Sequence, residues 1–256
     1  MGTTLRCFTI FAAILLLALV LTPTLNARPP QSSVADQTLL NAANRDRAAA
    51  GLLALQWDPA LAAAARQHAL CMARANQLSH QFPGEPPMQD RARQAGARFS
   101  LIAENVAQGP SVTGLHTQWM NSAPHRANLL DPDLNAVGIS VVQSGNTLFA
   151  VEDFSTAVPS LTLEEQEQQV ASQLAAHGLR AVNETADARK TCELDRGWVG
   201  PKPATVLRYE MSDLSRLPDE VEQKIASGKF HSATTGACRA SGSSEFARFR
   251  VAILLF

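Results

Sequence analysis

Apolar residues recur along the first half of the chain in steps of three and four. Leu39, Leu40 and Ala43 share one face, while Asn41, Arg45 and Asp46 are polar. That spacing predicts an amphipathic helix. Ser33-Val34-Ala35-Asp36 has the capping-box spacing that would open it, and Gly51 can close it in a left-handed conformation. Asp58-Pro59 opens a second, longer helix, with a capping carboxylate followed by proline at the first helical position. Its stripe of Leu61, Ala64, Ala65, His68, Cys71 and Met72 is built of small residues, which predicts close packing. His68 reads there as a hydrogen-bonded core histidine and Cys71 as an inert buried thiol.

Breakers interrupt the periodicity after Leu78-Ser79-His80, in Pro83-Gly84-Glu85-Pro86-Pro87, and predict an irregular loop. A short helix follows through Asp90 and Arg91 and ends at Gly96. Val112, Leu115, His116, Trp119 and Met120 restore the helical stripe until Pro124, with His116 at its boundary. Two β-branched or apolar runs, residues 137–142 and 147–154, flank Ser144-Gly145-Asn146 and predict a hairpin.

The pattern then starts afresh. Val158-Pro159-Ser160 reads as a linker, and Thr162-Leu163-Glu164-Glu165 as a second capping box. A Gln- and Glu-rich helix carries Val170 and Leu174 inward until Gly178. Strands are expected over 204–209 and 246–256, with a short helix opened by Pro218. The expected organisation is an N-terminal leader at 1–27, one domain at 34–157, a linker at 158–162 and a small α+β domain at 163–256.

Composition narrows the functional classes. The chain has 256 residues and a formal net charge of −1, with a pI near 6.6. No basic run with interleaved aromatics is present, so a nucleic-acid footprint is absent. Arg6 followed by an apolar run over 7–21 reads as a signal peptide, with a small residue at Ala27 for cleavage. The mature chain is then expected to be secreted or periplasmic, without a membrane span, and a monomer. Cys71, Cys192 and Cys238 remain after cleavage, an odd number where disulfides persist. Cys192 and Cys238 fall in the same expected domain and are predicted to pair.

Candidate chemistry is confined to His80, Glu104-Asn105 and His125. Two neutral imidazoles can ligate Zn²⁺ or another divalent cation at ~2.0 Å, and two protein ligands leave open positions, so binding would be weak and exchangeable. Glu104 could orient one ring or hold a metal-bound water. In the alternative reading these groups hydrogen-bond one another and fix the loops. Asn105 would support the turn after Glu104, and Arg91 and Arg126 read as loop anchors. Ser79 and Ser122 lack the Gly-x-Ser-x-Gly setting of a nucleophile elbow.

In order along the chain, Leu40-Asn41, Leu55-Gln56-Trp57-Asp58, His68, Leu78-Ser79-His80, Glu104-Asn105-Val106-Ala107, Trp119-Met120-Asn121-Ser122, Pro124-His125-Arg126 and Glu152-Asp153-Phe154 resemble the CAP superfamily of cysteine-rich secretory, antigen 5 and pathogenesis-related proteins, in its compact bacterial form. The resemblance implies an α-β-α sandwich with a cleft of two histidines and acidic residues. His80, Glu104 and His125 map onto three members of the family's usual tetrad. Ser122 stands where animal members often carry a second Glu. It implies a binding module at the cell envelope whose partner is an unnamed protein, cell-wall or lipid ligand. Rival implications are a metal-assisted hydrolase with Glu104 as base and lipid or sterol binding.

Overall fold

The computed structural model describes residues 32–240 and 246–256. The expected leader at 1–27 lies outside the described residues. Among the described residues no helix is long and apolar enough to cross a membrane.

The first half follows its sequence signals closely. Helix α1, Val34–Ala49, is opened by the reciprocal Ser33–Asp36 capping box, and Gly51 follows it with φ of +74°. After the two-residue strand β1, Gln56–Trp57, Asp58 accepts from Ala60 and Leu61 to cap α2, Pro59–Ala75. The small residues of α2 are buried as expected, but Cys71 is only half-buried and is a free thiol. It lies at the edge of the small-residue stripe rather than beneath it. Helix α3, Met88–Gln94, precedes β2, Phe99–Gly109. Pro124 has a double effect: α4, Val112–Asn121, stops before it, and α5, Ala123–Leu129, carries it in its first turn. The hairpin β3, Ala136–Ser144, and β4, Thr147–Ala157, completes this part.

The four strands pair in the order β1-β3-β4-β2, with β1 parallel to β3 and the other pairs antiparallel. Side chains alternate across a sheet, so its two faces are covered separately. On one face Leu39 of α1, Leu115 and Trp119 of α4 and Leu129 of α5 pack with Ile139, Ala150 and Phe154. On the other, Ala65, Ala69 and Met72 of α2 meet Val106, Phe149 and Val151. The result is the expected α-β-α sandwich. Edge strand β2 is shielded by side-chain donors: Trp119 Nε1 reaches the Val106 carbonyl at 3.1 Å and Gln118 Nε2 the Gln108 carbonyl at 3.3 Å. Covering these carbonyls blunts the edge against further strand pairing.

The second half builds another four-stranded sheet. Helix α6, Leu163–Ala176, starts on the Thr162–Glu165 capping box. It is followed by β5, Arg180–Ala181, α7, Thr185–Glu193, β6, Thr205–Met211, α8, Asp219–Ala226, and the strands β7, Ser232–Cys238, and β8, Phe249–Leu255. Its strand order is β5-β7-β8-β6, with β5 parallel to β7 and the rest antiparallel. This is the order and direction of the first sheet, element for element. The layering is the same too: Val170 and Leu174 of α6 and Val221 and Ile225 of α8 cover one face, and Ala188 and Cys192 of α7 the other. Cys192 and Cys238 form a disulfide, as predicted.

Candidate functional site

Strand β2 places adjacent residues on opposite faces of the sheet, and the candidate site uses both. Glu104 points to the α2/α3 face, where one carboxylate oxygen meets His80 Nδ1 at 2.8 Å and the other pairs with Arg91 Nη2. Its side chain is 4% exposed, against 60% for His80. The buried carboxylate therefore holds an imidazole whose other nitrogen, Nε2, has no protein partner among the described residues.

Asn105 points to the opposite face and anchors α5. Its Nδ2 donates to the His125 carbonyl at 3.1 Å, and its Oδ1 accepts from Asn128 at 2.9 Å. His125 is thereby carried to the edge of the sheet on a helix pinned to β2. Its ring is partly buried and makes no hydrogen bond to protein among the described residues. Ser122 sits at the α4/α5 junction, where its hydroxyl caps neither helix.

The loop that presents His80 is built on two buried side chains. His68 holds Glu85 Oε1 and the Ser79 carbonyl, each at 2.7 Å. Arg91 lies 3.3 Å from the Pro86 carbonyl, 3.5 Å from the His80 carbonyl and 3.7 Å from Glu85. His68 is the hydrogen-bonded core histidine its position predicted, and Arg91 the loop anchor. His116 bonds Asp46 at 2.6 Å on the α1/α4 side and takes no part in the cleft.

The pKa values of the two histidines are shifted in opposite directions. The hydrogen bond that His80 Nδ1 donates to the Glu104 carboxylate raises the His80 pKa above the ordinary imidazole value, against partial burial. Burial, reinforced by the charge of His80, lowers that of His125.

Two acidic residues absent from the sequence-based candidate set lie directly behind the site. Asp153 is the cross-strand partner of Glu104, and Glu152 that of Asn105. They are 1% and 0% exposed, and neither carboxyl has a well-formed hydrogen bond among the described residues, although the Asn105 amide is near enough to Glu152 to oppose its shift. Burial pushes Glu152 up to about 8. It also raises Asp153 well above the carboxylate range, with the neighbouring Glu104 charge adding to the shift. Their signal was visible as Glu152-Asp153 inside an otherwise apolar strand, where a buried charge has no cheap solution.

The donor set can be tested against a metal ion. Among the described residues no group of three or more His, Cys, Asp or Glu is placed to hold one, and both oxygens of Glu104 are engaged by His80 and Arg91. Two imidazoles remain. That is fewer than the four protein ligands of a closed structural site.

Part of the chain is similar to known proteins. Residues 40–154 match the CAP family, described as the cysteine-rich secretory protein family. The chain is 30% identical over 126 residues to the uncharacterised Bacillus subtilis protein YkwD, covering 49% of each. It is 29% identical over 113 residues to the uncharacterised B. subtilis membrane protein YlbC, covering 43% of this chain and 32% of that protein. It thus spans half or less of the length of these relatives. Among solved structures, an extracellular SCP-domain protein from Bacillus anthracis is 30% identical over 47% of this chain and 40% of its own, with a TM-score of 0.44. An outer surface protein from Borrelia burgdorferi is 20% identical over 50% of this chain and 96% of its own, with a TM-score of 0.46.

Proposed function

We propose that the CAP domain formed by residues 40–154 serves as a binding module outside the cytoplasm, with the cleft of His80, Glu104 and His125 as its ligand site. The observation that carries this reading is the His80–Glu104 pair. A carboxylate buried against Arg91 and bonded to Nδ1 leaves the exposed Nε2 of His80 directed by a rigid support, the arrangement that orients a ligating imidazole. His125 supplies a second nitrogen donor held on α5. The cleft can therefore take a divalent cation weakly, or hydrogen-bond an anionic or polar group of a partner at the cell envelope.

The Cys192–Cys238 disulfide supports an oxidising compartment, as does the leader expected at 1–27. The hydrolase reading has less support. A general base needs a free oxygen within reach of its proton, and Glu104 would first have to release His80 or Arg91.

Zinc titration of the mature protein by calorimetry tests the reading. Binding heat is expected with the unsubstituted chain and is lost in both His80→Ala and His125→Ala, with circular dichroism unchanged. Heat that survives either substitution contradicts a shared site, and no heat with the unsubstituted chain removes the metal from the reading.

A further inference from the structure

The repeated sheet provides an internal control on which residues the fold itself requires. In the first sheet one cross-strand row runs Gly138–Asp153–Glu104; in the second the matching row runs Gly236–Ala252–Arg208. The rows correspond because both glycines lie under a helix backbone. A Cβ on Gly138 would sit 1.9 Å from the Ala62 nitrogen of α2, and one on Gly236 would sit 2.1 Å from the Ala188 carbonyl carbon of α7. One row further, Ile139–Glu152–Asn105 is matched by Ala237–Val251–Tyr209. The same architecture thus stands with Ala252 and Val251 where the first sheet buries Asp153 and Glu152. Arg208 is also accounted for there, since it bonds the Thr191 and Gly197 carbonyls and ties down the loop after α7. Packing does not demand an acid at these positions, and an unpaired buried carboxyl is costly.

We infer that Asp153 is a positioning residue of the cleft, a neutral carboxylic acid that donates its proton in a hydrogen bond to the Glu104 carboxylate. The inference rests on the binding reading of the His80–Glu104–His125 cleft. Its geometry is specific. Asp153 is fully enclosed beside Glu104, and no N–H or O–H donor reaches either of its oxygens among the described residues. The charged groups facing it are Glu104 on β2, Glu85 from the loop before α3 and Arg91 on α3. His68 and His80 stand behind them, on Glu85 and Glu104 respectively. Arg91 is the cation of the group and is spent on Glu104 and Glu85. A second full negative charge beside Glu104 would have no counter-ion, so Asp153 keeps its proton and directs it at the neighbouring acceptor. The bond draws charge from Glu104 and tempers the hold of Glu104 on His80.

Histidine-labelled full-length chain, followed by NMR across a pH titration, tests the inference by sign. Asp153→Ala removes the donor, concentrates charge on Glu104 and shifts the His80 midpoint upward. Asp153→Asn can donate the same bond and leaves that midpoint near its original value. If Asp153 were ionised, both substitutions would delete a negative charge and shift His80 downward together, which overturns the inference. Ala252 in the matching row indicates that Asp153→Ala folds. Infrared spectroscopy decides the question without an Asp153 variant: near neutral pH, Glu152→Gln should still show a protonated-carboxyl C=O stretch, and its absence contradicts a neutral Asp153. None of these readings uses a bound ligand, so failure of zinc to bind would leave them intact, and their failure would leave the zinc result standing.

Discussion

Glu152 and Asp153 are neighbours on β4 that face opposite layers, and neither is solvated. Glu152 has the simpler consequence, because its shift is driven upward by burial and opposed only by the Asn105 amide. Its folded-state pKa, raised to about 8, lies above the ordinary value of ~4.3, so the folded chain holds a proton that the unfolded chain releases. Stability therefore falls as pH rises between these values, by up to ~1.4 kcal/mol per unit. Glu152→Gln should flatten that slope and raise stability near pH 7, as read by denaturant unfolding at several pH values. An unchanged slope would place a charge at Glu152. The His80–Glu104 bond acts with the same sign on a smaller scale, since His80 is largely exposed. Its contribution is fully present below the ordinary imidazole pKa of ~6.5 and is lost as pH rises through the raised value. Glu104→Gln should remove this component. His125, whose pKa is lowered, works in the opposite direction, favouring the fold above the ordinary value and losing that contribution as pH falls through the lowered one.

At the scale of elements, the tightest constraint is the crossing of a helix over a glycine on the inner strand. Gly138→Ala and Gly236→Ala both drive a methyl into helix backbone, and backbone cannot rotate aside as a side chain can. Each should cost more than ~3 kcal/mol and appear as loss of soluble protein or a large fall in melting temperature. Gly145→Ala meets no atoms within 4 Å and should be far milder, its cost set only by the positive φ of 58°. Caps and periodic stripes made α1, α2, α4, α6 and the β3–β4 hairpin legible in the sequence, because each is specified by local chemistry. Strand β2 was not legible as a strand. Glu104 and Asn105 break its apolar run, and their polarity belongs to the site: one serves His80 and the other α5. The two-residue strands β1 and β5 are defined only by parallel partners distant in the chain. Helix α7 was hidden because no side chain caps its start. Of the site, His80, Glu104 and His125 were readable as residue types in order. Arg91 was readable only as an anchor, and Asp153 only as an acid inside an apolar strand, since its pairing with Glu104 is made across the sheet.

For the whole molecule, the two sheets share a topology but differ in what stabilises and equips them. The first carries the cleft and half-buried, free Cys71; the second carries the Cys192–Cys238 bridge across 46 residues. Closing a loop of that length stabilises by ~4 kcal/mol in the chain-entropy model. Cys192→Ser with Cys238→Ser should lower unfolding stability by about that amount while leaving the histidine titrations of the first part in place. The paired capping boxes at Ser33 and Thr162, with left-handed Gly51 and Gly178 closing the helices that follow, are the sequence trace of this repetition. Chemistry is then expected once per chain, where the acids and histidines stand, and not in the matching row of Ala252 and Arg208. The most direct test is zinc titration of the histidine-labelled full-length chain, reading all six imidazoles by NMR at once. His80 and His125 should move together and saturate at one equivalent, with His68, His116, His177 and His231 unmoved; a shift confined to one of the pair, or centred on any of the other four, would contradict a single shared cleft.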